Sequence, residues 1–141
     1  MDKKISQLTA ATTPLTGTEI LPIVQGGNTV QATAQDVADL AGGGGYTIVN
    51  VTSTTHTATE TSGNIVILVD AATAGGNVTV NLPTAVGNTA QFTVKKIDSG
   101  VNTVTVDGFG AETIDGTATK VIYTQYVSLS VVSNNTNWFI I

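Results

Sequence analysis

At 141 residues with a formal charge of −5 and no cysteine, the chain has room for one domain and a small appendage, with no disulfide framework and no thiolate metal site. Its five basic residues are all Lys, too few and too scattered for the cationic track of a nucleic-acid groove, so no nucleic-acid partner is expected. The start at Met1-Asp2-Lys3-Lys4-Ile5 has no apolar leader and no later run is long enough to cross a bilayer, so synthesis in the cytoplasm without membrane insertion is expected.

Thr and Val dominate the composition, a β-branched bias that suits pleated, half-buried surfaces. The expected class is mainly β: a small N-terminal β-hairpin with a short helix, then an antiparallel β-sandwich or jelly-roll-like domain. Four glycines, Gly42 to Gly45, separate the two, since a glycine run holds neither a helix nor a strand. The expected division is therefore 1–41 as an N-terminal module, 42–45 as a glycine hinge and 46–141 as the β-domain. An ordered crossover within one domain is the alternative reading of the same run.

In chain order, Ile5 and Leu8 stand three apart, and Thr9 to Pro14 has too little apolar pattern for a stable element, so an extended arm is expected. Glu19 to Gln25 reads as a strand and Thr29 to Thr33 as its antiparallel partner across Gly26-Gly27-Asn28. Pro22 cannot donate to a ladder, which makes the first strand an edge strand or a bulged one. Thr33 and Asp36 have the spacing of a capping box, and the helix Ala34 to Ala41 follows, with Gly42 where helices commonly stop. A unit this small, without disulfide or metal, seldom folds unaided. Its apolar residues Ile5, Leu8, Ile20, Leu21, Ile23, Val24, Val30, Val37 and Leu40 are therefore expected to pack against other chains.

After the glycines, strands are expected at Tyr46–Thr52, Asn64–Val69, Asn77–Leu82, Ala90–Ile97, Thr103–Val106, Lys120–Thr124, Tyr126–Val132 and Trp138–Ile141, with marginal strands at Thr55–Thr61 and Glu112–Ile114. Val78, Val80 and Leu82 alternate with polar residues, as do Phe92 and Val94, so each strand should bury one face. Ile65 to Val69 is apolar throughout, which points to the middle of a sandwich or to a surface covered by a neighbouring subunit.

Residue types capable of chemistry are sparse. His56 has only Thr hydroxyls near it in sequence and reads as an exposed strand or loop residue. Asp107, Glu112 and Asp115 surround Gly108-Phe109-Gly110 with fewer oxygen ligands than a calcium loop needs, and read as solvated turn residues. Phe109, Tyr123, Tyr126 and Trp138 are the candidates for an aromatic platform under a sugar ring, but with so few aromatics most are expected in the core. No catalytic, cofactor or metal residues are assigned.

The runs Lys4-Ile5-Ser6-Gln7-Leu8, Leu15 to Gln25, Gly27 to Thr33 and Asp36-Val37 together resemble the N-terminal module of many tailed-bacteriophage fibres and head-surface appendages. The stretches Asn77 to Pro83, Val94 to Ser99, Asn102 to Val106, Ile114-Asp115-Gly116 and Asn137-Trp138 more loosely resemble the C-terminal β-domain of numerous phage fibres. The resemblance implies a virion location, a homotrimer, attachment to phage capsid or tail proteins through the N-terminal module, and no shared catalytic residues. A capsid head fibre is preferred to a short tail fibre because the chain shows neither a long shaft nor an evident receptor tip. The alternatives are a binding module for a host-surface glycan and, last, a polysaccharide-degrading enzyme.

Overall fold

A computed structural model describes residue 18, residues 20–40 and residues 45–141. Ile5, Leu8, the arm from Thr9 to Pro14, and Ala41 with the first three glycines lie outside the described residues. Contacts divide the chain into two units, Met1–Gly43 and Gly44–Ile141.

In the first unit, β1 (Ile20–Gln25) and β2 (Asn28–Thr33) form a two-stranded antiparallel hairpin, with Gly26 and Gly27 at positive φ in the turn. The register places Pro22 opposite Gln31 and Ile23 opposite Val30. The helix α1 (Ala34–Leu40) starts on the expected capping box. The Asp36 carboxylate accepts from the Thr33 N–H at 2.7 Å, and the Asp36 N–H donates to the Thr33 hydroxyl at 3.0 Å. These reciprocal bonds satisfy amides that have no partner within the helix, and the backbone bond from Thr33 holds the Asp36 carboxyl below its ordinary pKa.

The second unit is mainly β and encloses one apolar core. Its strands are β3 (Tyr46–Val51), β4 (Thr55–Thr57), β5 (Asn64–Val69), β6 (Val78–Asn81), β7 (Gln91–Lys96), β8 (Val104–Asp107), β9 (Thr119–Ile122), β10 (Ser128–Ser133) and β11 (Trp138–Ile140). They form a five-stranded sheet in the order β11-β10-β7-β5-β3 and a four-stranded sheet in the order β4-β6-β8-β9. From β3 to β8 the chain alternates between the two sheets, so strands two apart in sequence become parallel neighbours. The arrangement is a short solenoidal winding. Only β9, β10 and β11 run antiparallel to their neighbours, closing the end opposite β3 and β4.

The mainly β class is as expected, and two sheets share one core; the parallel ladders correct the expectation that the strands run antiparallel throughout. Alternation of apolar and polar residues has period two in either kind of ladder and carries no strand direction. The expected marginal strand at Glu112–Ile114 is also absent; Ile114 makes only isolated bridges to Thr117 and Trp138.

Parallel pairing stacks like on like. Ile65 lies beside Phe92, Val49 beside Ile67 and Ile67 beside Val94, while on the other sheet Val78 lies beside Val104 and Val80 beside Val106. All of these are buried except Val49, which packs against the core from its margin. Each fully buried side chain of this size contributes on the order of 1.5–3 kcal/mol. In β5 the apolar run splits by face: Ile65, Ile67 and Val69 are buried, and Val66 and Leu68 are half-buried on the opposite face. The Phe92 and Trp138 rings meet edge to face at 5.5 Å.

One column ends in a charge. The register Val51, Val69, Lys96 runs across β3, β5 and β7, and the Lys96 side chain is fully buried. Its ammonium donates to the Asp98 carbonyl at 2.9 Å and pairs with the Asp98 carboxylate at 2.5 Å. That carboxylate also accepts from the N–H groups of Ala71 and Gly100, both at 2.8 Å. Burial opposes ionisation of Asp98, but the bonds from Lys96, Ala71 and Gly100 and the Lys96 charge outweigh it, so its pKa lies below the ordinary value.

An Asp98→Asn variant should therefore lose about 3 kcal/mol at neutral pH, because it leaves a buried ammonium without its counter-charge. A depressed folded-state pKa means that the Asp98 contribution is complete above the unfolded value of roughly 4 and disappears as pH falls through the folded value. Urea unfolding at neutral and acid pH checks both points: D98N should be less stable at neutral pH and should show a shallower acid loss than the parent. Equal stability and an equal acid slope would show that the pair contributes nothing.

Candidate functional site

Two features stand out, one in each unit. In the hairpin, strand alternation puts Ile20, Pro22 and Val24 on one face and Leu21 and Ile23 on the other. Both faces are open: Val24 is 76% exposed and Ile20 61%, and Leu21 and Ile23 are exposed as well. Val37 of α1 is exposed, Val30 is half-buried, and Leu40 ends the helix. A two-stranded hairpin covered as little as this one is among the described residues is marginal in water.

In the second unit, the strand β8 ends at Asp107 and the chain turns through Gly108-Phe109-Gly110. The Gly108 N–H donates to the Ala118 carbonyl at 3.1 Å, and the Glu112 N–H closes a turn onto the Phe109 carbonyl at 2.9 Å. A Cβ on Gly108 would stand 2.5 Å from the Glu112 carbonyl oxygen, a contact that no side chain tolerates. Gly110 has φ +60. The two glycines thus hold the turn tight, and Phe109 is left 58% exposed at its tip.

Glu112 anchors this turn to the neighbouring loop. One carboxylate oxygen accepts from the Thr84 hydroxyl at 2.7 Å and the other from the Ala85 N–H at 2.8 Å. Asp115 accepts from the Ile140 N–H at 3.2 Å. Both residues therefore serve as backbone braces. Asp107 differs, since among the described residues its carboxylate has no hydrogen bond. The register places it in an outward row with Asn81 and Thr57, and the Asn81 amide donates to the Thr57 hydroxyl at 3.3 Å. Thr57, Asn81 and Asp107 line an open cleft of about 310 Å³ beside Phe109. Phe109 also lines a second cleft, of about 450 Å³, with Thr84, Glu112, Thr136 and Asn137.

The structure separates the four aromatic candidates. Trp138 is fully buried against Phe92, so it offers no platform, and its indole N–H has no acceptor among the described residues. Tyr123 and Tyr126 are exposed, and the Lys95 ammonium lies 5.9 Å from the centre of the Tyr126 ring. His56 is half-buried in β4, in register with the buried Val80, and its buried Nε2 has no partner among the described residues. This corrects its reading as an exposed residue. Asn81 and Thr57 were not singled out from sequence, because Thr and Asn are too common in this chain to signal anything until the register aligns them.

Among the described residues no group of three His, Cys, Asp or Glu side chains is placed to hold a metal ion, and no helix is long and apolar enough to cross a membrane.

Replacing Gly108 by Ala should cost about 1–3 kcal/mol, since the added methyl meets backbone instead of a movable side chain. Thermal unfolding of G108A checks this, and a variant as stable as the parent would mean that the turn has room the geometry denies. Neither a family model nor a curated protein matches the chain.

Proposed function

We propose that this chain is a non-enzymatic structural component of a bacteriophage particle, a short homotrimeric fibre or decoration attached through its first unit. The observation that carries the reading is the hairpin with apolar residues exposed on both faces. Among the described residues Ile20, Leu21, Ile23 and Val24 have too little over them, and covering such groups is the main driving force for association. Sister copies and an attachment protein are the proposed cover. Resemblance of the first forty residues to phage fibre modules supplies the particle, and the engagement of Glu112 and Asp115 in backbone bracing supports a role without catalysis. A capsid head fibre is preferred to a short tail fibre.

Sedimentation equilibrium of the full chain at micromolar concentration should give three times the chain mass, and Val24→Asp should shift the population towards monomer while the second unit stays folded. A parent that sediments as a monomer contradicts the trimer. Gold-labelled antibody on purified particles should mark the head surface; label confined to the tail would move the placement, and unlabelled particles would remove the particle assignment.

A further inference from the structure

We infer that the two clefts flanking Phe109 form a binding site for a neutral saccharide, with one pyranose ring seated between Phe109 and the row Thr57, Asn81 and Asp107. The site belongs to the second unit alone and does not depend on the multimeric reading.

Three observations converge on it. Phe109 is a large apolar ring held in the open by a turn that Gly108 and Gly110 keep tight. An aromatic face exposed beside polar groups matches a sugar, whose ring presents C–H bonds on one face and hydroxyls at its rim. Beside the ring stands Asp107, whose carboxylate has no hydrogen bond among the described residues, whereas Asp36, Asp70, Asp98, Glu112 and Asp115 all accept from other groups. Asn81 and Thr57 continue the same outward row, so one edge of the cleft presents a carboxylate, an amide and a hydroxyl in sequence. Adjacent sugar hydroxyls each donate and accept, and that row offers partners for both roles. The cleft volumes of about 310 and 450 Å³ lie in the range of small-molecule sites.

Charge selects among ligands. The chain carries −5 overall, Asp107 lines one cleft and Glu112 the other, and none of the residues lining either is basic. Sialylated, sulfated and phosphorylated glycans, and nucleic acids, would meet repulsion without compensation. A neutral hexopyranoside meets none. Because Phe109 and Gly110 line both clefts, the clefts adjoin at this turn, and a disaccharide reaching from one into the other should bind more tightly than a monosaccharide.

The test is saturation-transfer difference NMR on the full chain with the methyl glycosides of glucose, galactose, mannose and N-acetylglucosamine, followed by maltose, lactose and chitobiose. At least one of these should receive saturation, strongest at ring C–H protons, with a dissociation constant on the order of millimolar. Phe109→Ala and Asp107→Asn should each weaken it about tenfold, and Tyr123→Ala, at an exposed ring that lines neither cleft, should leave it unchanged. Both sites are at the surface, and an unchanged melting temperature confirms that the variants fold. Failure of every probe to receive saturation overturns the inference, as does binding that survives both F109A and D107N or that is lost in Y123A. A monomeric chain that still binds sugar would remove the trimer and leave this site standing.

Discussion

The second unit depends on parallel stacking of inward side chains from one turn of the winding to the next. Ile65 beside Phe92, and Val78 beside Val104, repeat the same burial at successive levels, so each strand covers the one before it and needs covering by the one after. The last parallel strands are β7 and β8, and the antiparallel β10 and β9 cover them. Chain reversal supplies this end with its cap. At the other end β3 and β4 are the outer strands of their sheets, and their open ladder positions are unpaired within this unit.

Loops between the strands are braced by carboxylates as well as by buried apolar residues such as Ala71, Leu82 and Ala85. Asp98 ties the loop after β7 to the loop after β5 through the Ala71 N–H, and the Asn102 amide donates to the Ala71 carbonyl at 3.1 Å. Glu112 does the same between the Phe109 turn and the segment at Thr84 and Ala85. With carboxylates spent in this way, Asp107 is conspicuous because it holds nothing together. A winding that aligns equivalent positions at each turn also explains how Thr57, Asn81 and Asp107, far apart in sequence, come to share one row.

Strand positions were legible in the sequence because alternation marks a half-buried strand whatever its partner: Asn64–Val69 is found at its expected bounds, and most others differ by one or two residues. The hairpin turn and the Thr33–Asp36 capping box were legible because their chemistry is local. Strand direction was not, since it depends on which strands meet. One signal for it existed in the near-repeat of Val78-Thr79-Val80-Asn81 and Val104-Thr105-Val106-Asp107, which align residue for residue in the parallel ladder. At the candidate site Phe109 and Asp107 stand out from sequence, whereas Trp138, a candidate platform ring in a chain whose few aromatics are mostly expected inside, belongs to the core. Its size favours burial, and composition cannot tell which of a few aromatics a core will take.

The two units therefore stand in contrast: the winding buries an apolar core of its own, though Ile48 and Val101 stay exposed on it, and the hairpin leaves Ile20 and Val24 open. If neighbouring copies cover them, hairpin order depends on how many copies are present, and order in the winding does not. Amide hydrogen exchange followed across a dilution series compares the two directly. The account predicts that protection at Ile23 and Val30 falls on dilution while protection at Ile67 and Val94 holds. Hairpin protection that is independent of concentration would contradict it.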